Sequence, residues 1–347
     1  MLNKLLNQSG KWLEGEGPYG DIVISSRIRI ARNLKSHLFC HRAAITELDD
    51  IRKKIFLAAS NNEYLKNSLL IEVDNLDQID RRLLVERHLI SCEHAEAKKA
   101  GLVLDPKEMI SIMVNEEDHL RFQVLESGLK LMDAWRIAEQ IESKLDTELG
   151  FAFSTDFGYI TSCPTNVGTG LRASALVHLP ALMMSNQITS VLKAVSQIHL
   201  AVRGFYGEGT HAIGNFYQVS NQVTLGHPEE EIINNIEMVT KQIIEHEKKA
   251  RELLLETDRA MLEDNIYRSL GILSNARIIS SKEVMNLLSP LRLGVDLDII
   301  KDVSRKTLNQ ILIRTQPAHL RKYAGKELVA READIKRAET VREIMNL

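Results

Sequence analysis

The segment DIVISSRIRIAR sets Ile22, Ile24, Ser26, Ile28 and Ile30 on one parity and Val23, Ser25, Arg27 and Arg29 on the other. That period-2 alternation predicts a strand with its isoleucines toward a core and its arginines on the opposite face. MISIMVN, LRFQVL, FAFSTDFGYITS and NFYQVSNQVTL also read as strands, interrupted by turn residues such as Asp156 to Gly158. Their short connections predict a largely antiparallel sheet. Apolar residues recur at helical spacing over 47–66, 76–100, 130–148 and 172–200, which supplies helices to cover that sheet. From about His227 the pattern becomes almost entirely helical. Pro228 and three glutamates open a stripe of Ile232, Ile233, Ile236, Val239, Ile243 and Ile244. Ser280 and Glu283 stand at capping-box spacing, and Pro317 is expected to end the segment holding Leu308, Ile311 and Leu312. The fold class is therefore α+β, with residues 1–226 a sheet-and-helix domain and 227–347 an all-helical one.

Composition narrows the class without naming a chemistry. A chain of 347 residues with 44% hydrophobic and 26% charged residues is neither disordered nor fibrous, and its length suggests two domains, each with its own core. Lys and Arg number 44 against 47 acids, a net charge of −3, so there is no global attraction to nucleic acid or an anionic membrane, and any anion site has to be local. Cys40, Cys92 and Cys163 form no CxxC pair, which gives neither a disulfide framework nor a structural zinc pattern. A start without a signal-peptide stretch and the lack of any apolar run near about 20 residues point to the cytoplasm.

Several familiar patterns fail on context. GEGPYG, Gly15 to Gly20, precedes a strand instead of following one, so it is not a dinucleotide-binding turn. No GxxxxGK[ST] loop, HRD or DFG is present. His88, Cys92 and His94 lie close together, but with no further ligand pair they read as helix surface or core, and no metal ligands are assigned. The stronger signal is arginine in short polar segments: SSRIR at 25–29, NEEDHLR at 115–121, GTGLRAS at 168–174 and RGFYGE at 203–208. One such arginine is ordinary surface; five together supply the fixed planar cations that a nucleoside triphosphate requires. Gly168 and Gly170 would let backbone approach an anion. Acids beside a phosphate site make sense when they hold a cation, either Mg²⁺ or a substrate guanidinium, which singles out the 115–118 run and Glu208. Cys163, next to the glycine-rich turn, sits where arginines would favour a thiolate.

CPTNVGTGLRAS, NEEDHLR and RGFYGE, spread over roughly residues 20–250, resemble the hallmarks of the phosphagen-kinase superfamily. Within it the chain is similar to bacterial protein-arginine kinases, because only 24 residues precede Ser25, where metabolite kinases of the superfamily carry a helical domain, and a helical extension follows. The resemblance implies a phosphagen-kinase-like catalytic domain. Arg27, Arg29, Arg121, Arg172 and Arg203 would clamp the phosphates of ATP, with Mg²⁺, and His88 would lie near the nucleoside. Ser25, Ser26, Ile28, Ala173, Ser174, Ala175, Leu176, Gly204, Phe205, Tyr206, Gly207 and Glu208 would line the nucleotide site. Glu117 and Glu208 would hold the acceptor guanidinium and take its proton, with Cys163 beside it. The family's C-terminal RDxxRA motif stands here with Ala333 in first place, leaving Asp334 and Arg337 as candidate regulatory residues for phosphoarginine. The helical domain would pair two subunits as a homodimer and bind protein targets. Implied partners are proteins with exposed arginines, among them a stress-response transcriptional repressor, a zinc-binding activator protein and a protease-associated chaperone. The leading expectation is protein arginine phosphorylation in stress response and quality control. The alternatives are a kinase for free arginine or another small guanidine, and a catalytically silent adaptor.

Overall fold

The computed structural model describes residues 5–6, 8–198, 200–204 and 212–345. The chain runs β1 (Val23–Arg32), α1 (Ile45–Asn61), β2 (Leu69–Glu72), α2 (Gln78–Glu86), α3 (Cys92–Ala95), β3 (Gly101–Leu104), β4 (Ile110–Val114), β5 (Leu120–Ser127), α4 (Leu131–Leu149), β6 (Phe153–Ser154), β7 (Gly158–Tyr159), β8 (Leu171–His178), α5 (Pro180–Met184), α6 (Ile188–Ser196), β9 (Leu200–Gly204) and β10 (Phe216–Asn221). The helical remainder is α7 (Glu229–Thr257), α8 (Arg259–Asn275), α9 (Ser281–Asp296), α10 (Arg305–Arg314), α11 (Pro317–Ala324) and α12 (Ala330–Ile344). Eight strands form one sheet in the order β2-β3-β4-β5-β1-β8-β10-β9, and every named pairing is antiparallel. The α+β expectation and the antiparallel sheet both hold.

Local details depart from the periodicity. Residues 172–200, expected as helix, split into strand β8 and the short helices α5 and α6. LRASALVH satisfies either period, and pairing with β1 on one side and β10 on the other decides for the strand. The 151–162 segment pairs over only two residues on each side. In β1 the register shifts between Val23 and Ser25. Ile22, Ile28 and Ile30 therefore join the main core, while Ile24 turns to the other face.

One face of the sheet is covered by α1, α4 and α7, whose Ile51, Ile141 and Ile236 meet Ile28, Phe122 and Val219 in the first core. The stripe of α7, from Ile232 to Ala250, belongs to this core. The helices after it close part of the opposite face: Leu262, Leu288 and Leu312 cluster with Ile24, Leu125, Leu176 and Phe216. The second core is thus shared between sheet and helices, not owned by the helical part as two self-contained domains would require. Capping follows the sequence at α9, where Ser280 Oγ accepts the Glu283 N–H at 3.2 Å. Pro317 ends nothing by itself; the chain breaks after Arg314, and Pro317 starts α11.

Candidate active site

Strand register determines which side chains converge. Directly paired residues share a face. Arg29 pairs with Arg172; Ala31 pairs with Arg121; Arg27 pairs with Ser174, Ser174 with Ser220, and Gln218 with Arg203. Since alternate residues of a strand share a face, Arg27, Arg29, Arg121, Arg172 and Arg203 all emerge on one side of five neighbouring strands. This is the face opposite the first core. Arg203 lies on β9, exposed, and not on a loop as the polar context of its segment suggests.

The cluster is electrostatically tense. Arg27 donates from Nε to Ser174 Oγ at 3.4 Å and from Nη2 to Gln218 Oε1 at 2.9 Å, and burial, then the charges of Arg121 and Arg172, lowers it to about 10. Burial also pulls Arg29 well down, reinforced by Arg27, Arg121 and Arg172. Among the described residues, the buried Nε groups of Arg29 and Arg172 have no hydrogen-bond partner. Orphaned donors on crowded guanidinium groups are what a polyphosphate would satisfy, so the residues fit the triphosphate of ATP.

Each residue of NEEDHLR has a separate task. Asn115 takes a positive φ of 60° and its Nδ2 donates to Leu48 O and Lys99 O. Glu116 turns inward: both its oxygens accept from Arg121 Nη1, at 2.8 and 2.7 Å, and Oε1 also accepts from Ser91 Oγ. Burial is the largest influence and would raise its pKa, but Arg121, Ser91 and His94 together outweigh it and leave it lowered. Glu117 is exposed beside Cys163, and partial burial, then Asp118, raises its pKa against the opposing pull of Arg121 and Cys163. Asp118 Oδ1 accepts from Asn33 Nδ2 and from the Ser162 N–H, both at 2.7 Å, which pins the Cys163 turn next to Glu117. His119 Nδ1 accepts the Leu34 N–H at 3.0 Å. Cys163 Sγ lies 3.0 Å from Thr165 Oγ1. Glu117 and Cys163 lie side by side. Glu208, Phe205, Tyr206 and Gly207 lie outside the described residues, and Gly204 ends β9.

Beside the arginines is a narrow recess lined by Trp12, Ser25, Arg27, His88, Leu125 and Leu176. His88 has φ 59°, meets the Trp12 ring edge-on at 5.8 Å, and is lowered to about 3 by burial and then Arg27, so it is a neutral imidazole there. Its carbonyl accepts from Gln123 Nε2 at 2.7 Å.

Four expected lining residues point elsewhere. Ser26, Ile28, Ala173 and Ala175 alternate onto the core face; Ser26 Oγ donates to Gly128 O at 2.8 Å, and Ile28, Ala173 and Ala175 sit in the first core. Ser25, Ser174 and Leu176 are on the arginine face. Gly168 and Gly170 are not an anion cradle either. A Cβ at Gly168, φ 110°, would fall 2.3 Å from Thr224 O, and one at Gly170, φ 62°, 2.7 Å from Ala31 O, so the protein's own backbone occupies that space. Sequence reasoning missed Gln123, Gln218 and Trp12, and it placed Glu116 in the acid run without its role as the partner of Arg121. Strand parity relative to the arginines singles out both glutamines; nothing local marks Trp12. Far from this site, Arg337 is buried, donating to Thr315 O and Ile279 O at 3.0 Å and pairing with Asp334, which ties α12 to the neighbouring helices.

Comparison with known proteins gives this geometry its class. A family model of the ATP:guanido phosphotransferase C-terminal catalytic domain matches residues 50–250, and one of the protein-arginine kinase McsB C-terminal domain matches residues 259–347. The protein-arginine kinase of Halothermothrix orenii is 49% identical, covering 100% of this chain and 99% of that one; that of Brevibacillus brevis is 48% identical, covering 97% and 95%. Among solved structures, the duplicated taurocyamine kinase of Schistosoma mansoni with bound transition state analog components aligns with a TM-score of 0.59 and 26% identity over 67% of this chain, which spans 34% of that one. Lombricine kinase, at TM-score 0.59, 22% identity and coverage of 70% and 71%, shares the fold. Fold and site together define an ATP-dependent phosphotransferase of the guanidino-acceptor class. Within that class, the chain belongs to the protein-arginine kinase family. β1, which lies before the matched 50–250 span, supplies two of the five arginines.

Proposed function

We propose that the chain transfers the γ-phosphoryl group of ATP to arginine side chains of proteins. The observation that carries this reading is the single sheet face on which five arginines converge, with Glu117 and Cys163 held together at the end of β4. Full-length similarity to protein-arginine kinases supports a protein acceptor over free arginine. A guanidinium has a pKa above about 12, so it becomes a nucleophile only as it gives up a proton. Glu117, whose pKa burial raises, orients the guanidinium and accepts that proton; Glu208 is the second carboxylate. Cys163, beside Glu117, lies next to the acceptor guanidinium and adjusts its position. The arginines hold the phosphate oxygens in line and neutralise charge as it shifts toward the leaving oxygen. The phosphotransfer chemistry calls for Mg²⁺ with the nucleotide. Bound there, the ion would neutralise phosphate charge.

Residues 1–226 act as the catalytic domain and 227–347 as a helical region that pairs subunits and binds protein targets, in a cytoplasmic setting of stress response. The partners are the repressor, activator and chaperone classes implied by the resemblance. No helix of the described residues is long and apolar enough to cross a membrane. The deciding experiment incubates the chain with Mg-ATP and either an unfolded arginine-rich protein or free arginine. An acid-labile N-phosphoryl signal by phosphorus NMR is expected on the protein; a signal on free arginine alone overturns the proposal.

A further inference from the structure

The phenylalanines exposed among the described residues are Phe153 and Phe157, at 58% and 57%, and both lie on the small β6–β7 hairpin. A ladder of two residues on each side is too short to stand by itself. It is held by the rest of the fold. The Tyr159 N–H donates to Gly168 O at 2.8 Å, the Arg32 guanidinium lies 3.3 Å over the Tyr159 ring, and Phe153 meets the same ring edge-on at 5.1 Å. Arg32 itself is buried and paired with Glu142 at 2.8 Å. Two large rings are thus kept out in water by a fixed scaffold, an arrangement that marks a contact surface.

The rings face an open groove of about 520 Å³ whose other wall carries Leu225 and Pro228. Its lining acids are Asp156 and Glu229, and the one imidazole among its lining residues, His227, lies 3.1 Å from Glu231. The groove adjoins the turn that carries Cys163. Gly168 and Thr224 line it, and Thr224 Oγ1 donates to Thr165 O at 2.9 Å and Val167 O at 2.7 Å, in the same turn as Cys163. Tyr159 and Cys163 are four residues apart, at most about 14 Å of chain. Phe153 pairs directly with Tyr159, about 5 Å further. The aromatic patch therefore lies within about 20 Å of the thiol, the span of about six extended residues.

We propose that this groove docks the acceptor polypeptide itself, taking an apolar side chain a few residues from the target arginine while its acids favour a basic segment. The inference rests on the protein-acceptor reading and adds a sequence preference to it. A second copy of this chain is the poorer occupant, because the same face would bring acid against acid.

The test compares two short single-arginine peptides, one with leucine at positions about two to six residues from the arginine, the other with serine there. The full chain and its F153S/F157S variant are each assayed with both. The wild type is expected to use the leucine peptide with about tenfold higher kcat/KM, and the variant to lose that preference while keeping its rate on the serine peptide. Equal use by the wild type, or a preference that survives in the variant, overturns the proposal. So does a variant slowed equally on both peptides, which would make the hairpin only a support for Cys163. Failure of the wild type to phosphorylate either peptide or an unfolded protein would instead overturn the protein-acceptor reading itself.

Discussion

Glu116 and Glu117 are chain neighbours with opposite environments: the first is folded onto Arg121 and Ser91, the second stands exposed beside Cys163. Only the second is available to an acceptor. Because burial and Asp118 raise its pKa, the ionised form that takes a proton is lost as pH falls from a point above the ordinary glutamate value. The acidic limb of the kcat/KM profile should sit above that value, and Glu117→Gln should remove the limb along with about 10²–10⁴-fold of rate. A pH–rate series on a protein acceptor checks both. Arg29 predicts a trade between stability and function. Its charge is disfavoured by burial and by three like-charged neighbours, so Arg29→Met should leave the melting temperature unchanged or raise it. The same variant should abolish transfer and the rise in melting temperature that ATP gives the parent, both read by thermal shift and activity assay.

At the scale of elements, the joint between β1 and the glycine-rich turn is the part least tolerant of change. Arg32 donates to Glu142 Oε1 and to the carbonyls of Ala31 and Thr169, each at 2.8 Å, from a fully buried position. Arg32→Ala leaves Glu142 buried without its cation and should cost about 3–5 kcal/mol in denaturant unfolding. Gly168→Ala combines a φ of 110° with a Cβ placed 2.3 Å from Thr224 O. It should lower stability by about 1–3 kcal/mol and, by shifting the Cys163 turn, reduce activity with it. The same joint shows where local pattern misleads. Two glycines between a cysteine and an arginine suggest a phosphate cradle, yet what forces glycine there is close packing of β8 against β1 and the 224 turn.

For the whole molecule, the helices after α7 are part of the fold of the catalytic sheet. Leu125, Leu176 and Phe216 are buried against Leu262, Leu288 and Leu312, next to the arginine face. A chain ending at residue 258 would expose that apolar surface. It should aggregate or melt without cooperativity in circular dichroism, where the full chain melts cooperatively. The Glu86–His319 contact at 2.8 Å, with Arg87 bonded to Glu108 in the segment leading to His88, adds a polar link between α11 and the recess wall. The helical region is in this way mechanically joined to the nucleotide side of the site.

The alternation around Arg27 and Arg29, the acid run before Arg121 and the motif set over the first 250 residues determined, from sequence alone, an antiparallel sheet with a guanidinium-rich site, because strand parity and charge are local properties. The roles within NEEDHLR, the bulge that sends Ile24 to the far side, the strand in place of a helix at 171–178 and the shared second core were decided only by tertiary structure. Each depends on which strand lies alongside, and partners distant in the chain are set by packing and register, which no short window of sequence contains.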